Sequence, residues 1–193
     1  MSEQSLWPSP EAIWQADADA VAAGEAPALS GPWRLLLLGD GSPTRHLQSL
    51  TGLPVEVEVI AMADDPDPGS EAPQEVEELE RPLLRRQVWL RCGGDTLAWA
   101  ESWWNQHEAE QHLRQRSQPI WRSLTADRAE LYREVDGLAL VEAPLLEQGF
   151  GQPGPYWSRH YRFFRGGREL TVIREVFAPA LERWLGPAAH TPS

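Results

Sequence analysis

Arg86 stands where a charged residue is least expected. It lies in Leu83-Leu-Arg-Arg-Gln-Val-Trp-Leu-Arg-Cys92, a β-rich run that Gly93-Gly94 separates from a second one, Asp95-Thr-Leu-Ala-Trp-Ala-Glu-Ser-Trp-Trp104. Glycine accepts positive φ, so the dipeptide suits a tight hairpin turn. Pairing Cys92 with Asp95 sets Leu90 opposite Leu97, Val88 opposite Trp99, Arg86 opposite Glu101 and Leu84 opposite Trp103. Strand side chains alternate with period two, so these residues share one face, apolar but for one Arg and one Glu. Burying an unpaired charge is costly. Two readings follow. Arg86 either pairs with Glu101 (or snorkels to the sheet edge) as a structural device, or its planar fork binds an anion such as a carboxylate in a closed pocket.

The chain offers few other groups for chemistry. Ser42-Pro43 is a good N-cap and N1 pair, and free N–H groups at that helix start could hold a carboxylate; alternatively Ser42 simply caps its helix. Glu175 lies on a strand beside Ile173 and Phe177, both of whose faces are partly apolar. Cys92 is the single cysteine, without zinc-ligand spacing or a nucleophile motif. His107 and His112 lie five apart, which suits a surface helix better than a metalloprotease pair. No glycine-rich phosphate loop, dinucleotide fingerprint or repeat is present, and no metal ligand set is expected.

The elements that must position these residues are legible in outline. Ser9-Pro10 to Gly24 reads as a helix in an acidic arm over residues 1–29, ahead of a single domain over 30–193. Pro32 to Leu38 reads as a short buried helix, and Ser42 to about Leu50 as another. Pro54 to Ile60 alternates as a strand with Val55, Val57 and Val59 inward. Asp64 to Glu80, rich in acids and prolines, reads as a flexible connection ending in a helical turn. Asn105 to Arg116 reads as a polar helix, Gln118 to Trp121 opens another, Leu131 to Val135 is a strand, and Glu147 to Pro155 is a loop. A second hairpin turns at Gly166-Gly167, setting Tyr161 opposite Val172 and His160 opposite Ile173, before a last helical turn over Ala178–Leu185. Hairpin-linked strands with helices gathered elsewhere imply an α+β fold with a single antiparallel sheet.

Composition narrows the function. All 17 basic residues are Arg, and the net charge of −12 argues against nucleic acid or an anionic membrane as partner. The N-terminus lacks signal-peptide order, and the leucine run at Leu35–Leu38 is too short to span a bilayer, so a cytoplasmic protein without membrane insertion is expected.

Leu35-Leu-Leu-Leu-Gly-Asp-Gly-Ser-Pro-Thr-Arg-His-Leu47, Pro54-Val-Glu-Val-Glu-Val59, Arg86-Gln-Val-Trp-Leu90, Ala100-Glu-Ser-Trp-Trp104 and Arg174-Glu-Val-Phe-Ala-Pro-Ala180 together resemble the chorismate lyases, in particular the cyanobacterial and plastid-encoded branch. The resemblance covers roughly residues 30–185. It implies a cofactor-free lyase that splits chorismate into 4-hydroxybenzoate and pyruvate for quinone, here plastoquinone, biosynthesis. It implies helices packed on the sheet and helical flaps over an internal ligand cavity. By resemblance, Arg86 binds the aromatic carboxylate, Glu175 contacts the 4-hydroxyl end, the Ser42-Pro43-Thr44 turn supplies a backbone N–H to the carboxylate, and Ile120 is a second backbone donor.

One departure stands out. Bacterial relatives tend to carry an arginine in the second strand of the first hairpin, where this chain has Glu101, which would either neutralise Arg86 or orient it. Arg159, Arg162, Arg165, Arg168 and Arg174 are candidates for the missing positive charge. The alternative function is a non-catalytic aromatic-acid sensor of the same sheet architecture, as found in transcription regulators; no DNA-binding segment is recognised here.

Overall fold

The computed structural model describes residues 5–24, 29–113, 120 and 132–189. The short helix expected to open at Gln118–Trp121, apart from Ile120, and the end of the polar helix at 114–116 lie outside these residues. Seven strands form one antiparallel sheet: β1 (Glu11–Asp17), β2 (Val55–Asp64), β3 (Leu83–Cys92), β4 (Asp95–Asn105), β5 (Tyr132–Glu142), β6 (Tyr156–Arg165) and β7 (Arg168–Phe177). Their order is β1-β5-β6-β7-β4-β3-β2. The helices are α1 (Ala18–Ala22), α2 (Gly31–Leu38), α3 (Pro43–Thr51), α4 (Gln106–His112), α5 (Pro144–Phe150) and α6 (Glu182–Leu185), with short 3₁₀ turns at Gln74–Glu78 and Pro179–Leu181.

Two helices cover one face of the sheet because their apolar residues recur at helical spacing. Helix α2 buries Trp33, Leu36 and Leu37 while Leu35 points to solvent, and Trp33 Nε1 donates to the Gly186 carbonyl at 2.9 Å. Helix α3 buries Thr44 and Leu47 one turn apart. These residues join Val88, Leu90, Leu97, Ala98, Ala100 and Phe177 in one core. The opposite face packs Trp89, Trp99, Tyr156 and Val176 under α5, and Trp103 and Val172 under the Gln74–Glu78 turn.

Three expectations are corrected here. The N-terminal stretch expected as a helical arm supplies edge strand β1, paired with β5 from Glu11–Glu142 to Asp17–Gly137. Its exposure alternates residue by residue, the period-two pattern that decides for a strand. Helix α5, entered at Pro144 and closed by Gly151 at φ 67°, takes in residues 147–150, the start of the stretch read as loop.

The third correction moves a site residue. The first hairpin begins in the expected register, Cys92 with Asp95 and Arg91 with Thr96, but Leu90 then pairs with Ala98. Leu97 is an extra residue, a β-bulge, and it shifts every later pair by one. Arg86 therefore faces Ser102, and Glu101 pairs with Gln87 on the opposite face. A slip of one residue inverts the whole strand face. The second hairpin does the same: Phe164 pairs with Glu169, Phe163 with Thr171, and Leu170 is the extra residue. Tyr161 then faces Ile173, not Val172, and Arg159 faces Glu175.

On the far face Glu101 is fully enclosed by its own partners. Arg174 Nε donates to Oε1 at 2.7 Å and Arg85 Nε to Oε2 at 3.0 Å, each guanidinium adding a second, short bond through Nη2. Gln87 and Ser9 complete the shell. Burial alone would raise the Glu101 carboxyl, but Arg174 and Arg85 outweigh it and hold the group below the usual carboxylate range. Glu101 therefore neither neutralises nor orients Arg86; it locks β3, β4 and β7 together from behind.

Glu101→Gln keeps the volume but leaves the Arg174 guanidinium without its carboxylate and Arg85 with only Asp65, 3.9 Å away, with an expected loss of about 3–5 kcal/mol in urea unfolding at pH 7. A depressed carboxyl contributes stability above its unfolded pKa and loses it as pH falls through the folded value. The gap between wild type and Glu101→Gln should accordingly narrow on acidification below pH 4, and a constant gap would exclude this role for the carboxylate.

Candidate functional site

The shifted register gathers the polar residues of the helix-covered face around one cavity. It encloses about 50 Å³ and is lined by Ser42, Pro43, Thr44, Arg86, Ile120 and Glu175 among a mostly apolar wall that includes Val57, Val88, Leu90, Phe163 and Ile173. All of the expected site residues except Glu101 meet there. Ser102, Arg133 and Tyr161 also line it.

At the β3 end Arg86 is almost fully buried, and this desolvation draws its guanidinium down to about 10. It remains a cation at neutral pH in a medium where charge interactions are strong. Helix α3 starts at the same cavity. Pro43 occupies its first turn and carries no N–H, and His46 N already donates to the Ser42 carbonyl, so the Thr44 N–H stands at the helix start. The Ser42 side chain makes no capping bond and lies 2.9 Å from Thr44 Oγ1 instead. Ser42 thus leaves the helix start open. A buried guanidinium and an uncapped helix N-terminus on one cavity form an arrangement that accepts a carboxylate.

Glu175 sits farther along the same face, on β7. Arg159 Nε donates to its Oε2 at 2.8 Å and the Tyr161 hydroxyl to its Oε1 at 2.6 Å. Arg159 is itself held by the carbonyls of Leu36, Gly39 and Gly41 at 2.7–2.9 Å. The guanidinium therefore bolts the α2–α3 connection to the floor of the cavity. Burial and the Glu175 charge push the Tyr161 phenol upward, so it stays a donor. With one oxygen engaged by Arg159 and the other by Tyr161, Glu175 keeps lone pairs for one more donor but is not a mobile base. Nearby His46, lowered by burial and by Arg159, is neutral at pH 7.

The arginines named from the second hairpin divide by face. Arg159 enters the site, paired to Glu175. Arg174 serves Glu101 and Arg162 bonds Asp136 on the far side, while Arg168 reaches Glu108. Sequence reading missed Arg133 and Tyr161 as lining residues. The signal was available for Tyr161, two residues from Arg159 on one strand face, but only once the bulge is known. Among the described residues one group of donors converges within 4.8 Å, namely Glu75, Asp136 and His160. It lies on the far face, and Arg162 already neutralises Asp136 there.

The chain matches the family model "Chorismate pyruvate-lyase Rv2949c-like" over residues 37–185. The protein belongs to that family. Among its relatives are uncharacterized proteins ycf21 of Cyanophora paradoxa, 27% identical over 89% of this chain and 90% of the relative, and of Porphyra purpurea, 32% identical over 79% and 83%. These accord with the plastid-type branch expected from the motifs. In architecture the chain is similar to the effector domain of PhnF from Mycobacterium smegmatis, with a TM-score of 0.57 at 14% identity over 75% of this chain and 92% of that one. It is also similar to the C-terminal domain of the histidine utilization repressor of Pseudomonas syringae pv. tomato, with a TM-score of 0.51 at 13% identity over 72% and 99%. These likenesses establish the sheet fold. No helix among the described residues is long and apolar enough to cross a membrane.

Because Arg86 titrates near 10, affinity for an aromatic monocarboxylate should be flat from pH 6 to 9 and fall above about pH 10 as the guanidinium loses its proton. Calorimetric titration with benzoate across this range checks it. A fall centred near pH 6 would instead make a histidine the anion-binding group.

Proposed function

We propose that this protein is a chorismate lyase that converts chorismate into 4-hydroxybenzoate and pyruvate in the cytoplasm, without metal or cofactor, and so supplies the ring of a quinone, plastoquinone in the branch it resembles. The observation that carries this reading is a cavity with Arg86 and the α3 N-terminus at one end and the doubly engaged Glu175 across an apolar floor.

A ring carboxylate would lie between Arg86 and the N–H of Thr44, with the Ile120 backbone as a second donor. That placement brings the ring hydroxyl to Glu175, whose remaining acceptor capacity suits one O–H. In the reaction the ether bond to the enolpyruvyl group breaks, the ring carbon bearing the hydroxyl loses its hydrogen, and the ring becomes aromatic. Glu175 is tied down by Arg159 and Tyr161, which favours a positioning role over proton abstraction. Transfer of that hydrogen to the methylene carbon of the departing enolpyruvyl group then yields pyruvate directly, and the atoms balance. The protein's contribution is to hold the substrate in the reactive conformation, to polarise its carboxylate end and to exclude water.

A second reading is a non-catalytic module that binds aromatic acids. The likeness to regulator effector domains supports it. The two readings separate in one assay. Purified protein incubated with chorismate alone should give 4-hydroxybenzoate and pyruvate in equal amounts, with the rate falling at least a hundredfold in Arg86→Ala and about tenfold or more in Glu175→Gln. Binding of 4-hydroxybenzoate without turnover would favour the sensor, and neither binding nor turnover would contradict both.

A further inference from the structure

The cavity has a second cation that neither the helix N-terminus nor Glu175 employs. Arg133 stands at the start of β5, the strand four steps across the sheet from β3 in the order β5-β6-β7-β4-β3. At about 4.8 Å per step the two strand axes are roughly 19 Å apart, with β7 midway between them. Both Arg86 and Arg133 nevertheless line the same cavity, with Glu175 of β7 between.

Arg133 is held but not saturated. Its guanidinium lies 4.5 Å from the Tyr161 ring centre and 4.6 Å from that of Phe163, and Nη1 donates to the Asp40 carbonyl at 2.6 Å. None of these partners carries a formal negative charge. Its Nε–H is buried and meets no acceptor among the described residues. The carboxylate in the same wall, Glu175, is engaged by Arg159 and Tyr161. A half-buried guanidinium oriented by two aromatic faces, with an unmet donor and, among the described residues, no acidic partner in hydrogen-bonding contact, is prepared for an anionic group of the ligand.

We infer that Arg133 is a specificity residue that binds a second carboxylate, so that the site selects a dicarboxylate whose two acidic groups flank a hydroxyl. The inference deepens the proposed function. In chorismate the second carboxylate is that of the enolpyruvyl group, attached next to the ring hydroxyl that Glu175 would receive. Arg133 would fix the rotation of the enolpyruvyl ether. It would also give the product, a monocarboxylate, one anchor fewer than the substrate and so favour its release.

The experiment compares chorismate with 4-hydroxybenzoate in wild type, Arg133→Gln and Arg133→Lys. The expected result in Arg133→Gln is a rise of tenfold or more in KM for chorismate, with Kd for 4-hydroxybenzoate within about twofold of wild type. Arg133→Lys should recover part of the loss. Equal weakening of both ligands would make Arg133 only a tether for the Asp40 segment, and no change in either would leave it without a role; each result overturns the inference. If wild type binds chorismate without turning it over, the lyase reading fails, and the same comparison made with Kd values still decides the role of Arg133. If wild type binds no chorismate, both fall.

Discussion

Behind the sheet, two arginines close on one carboxylate, and the cavity in front depends on it. Arg85 of β3 and Arg174 of β7 both bond Glu101 of β4, the strand between them. Side chains alternate along a strand, so fixing these three toward the back commits their neighbours to the front. Arg86, Ser102 and Glu175 are those neighbours, and all three line the cavity. The closed ion cluster thus acts as a register lock, the use for which buried charges are best attested. Its energetic return comes through order, since desolvating three charges offsets much of their attraction.

The lock also separates two kinds of electrostatics within one sheet. On the back face charges are matched and satisfied: Arg174 also donates to the Glu71 backbone carbonyl, and the buried Asp65 carboxylate lies 3.9 Å from Arg85. On the front face cations stand in an apolar wall with fewer acidic partners. In a chain of net charge −12, local positive potential of this kind needs enclosure: burial both lowers the Arg86 guanidinium and strengthens its hold on any anion that enters. The α2–α3 connection supplies that enclosure, pinned by Arg159 to the same carboxylate, Glu175, that lines the cavity.

Much of this was legible in the residues. The turns at Gly93-Gly94 and Gly166-Gly167, with all four glycines at positive φ, fixed both hairpins. Ser42-Pro43 marked the start of α3, and Arg86 announced itself as a charge among apolar neighbours. The bulges at Leu97 and Leu170 were not legible, because an extra leucine in a strand has the same composition as a paired one. They come three residues after the turn in each hairpin, and their cost in reading was large: Glu101 was placed beside Arg86 when it belongs behind it. Strand β1 was missed because Ser9-Pro10 and Gly24 mimic helix punctuation, whereas the alternating exposure of Glu11–Asp17 reports an edge strand. Arg133 was passed over because its strand gives no cue to which face it turns until its neighbours Tyr161 and Phe163 are in place.

A crystal structure of the protein with 4-hydroxybenzoate tests the account at its centre. The predicted result is the ligand carboxylate against Arg86 and the N–H of Thr44, the hydroxyl on Glu175, and the Arg85–Glu101–Arg174 cluster unchanged behind the sheet. A ligand bound at Glu101, or a first hairpin without the Leu97 bulge, would contradict it.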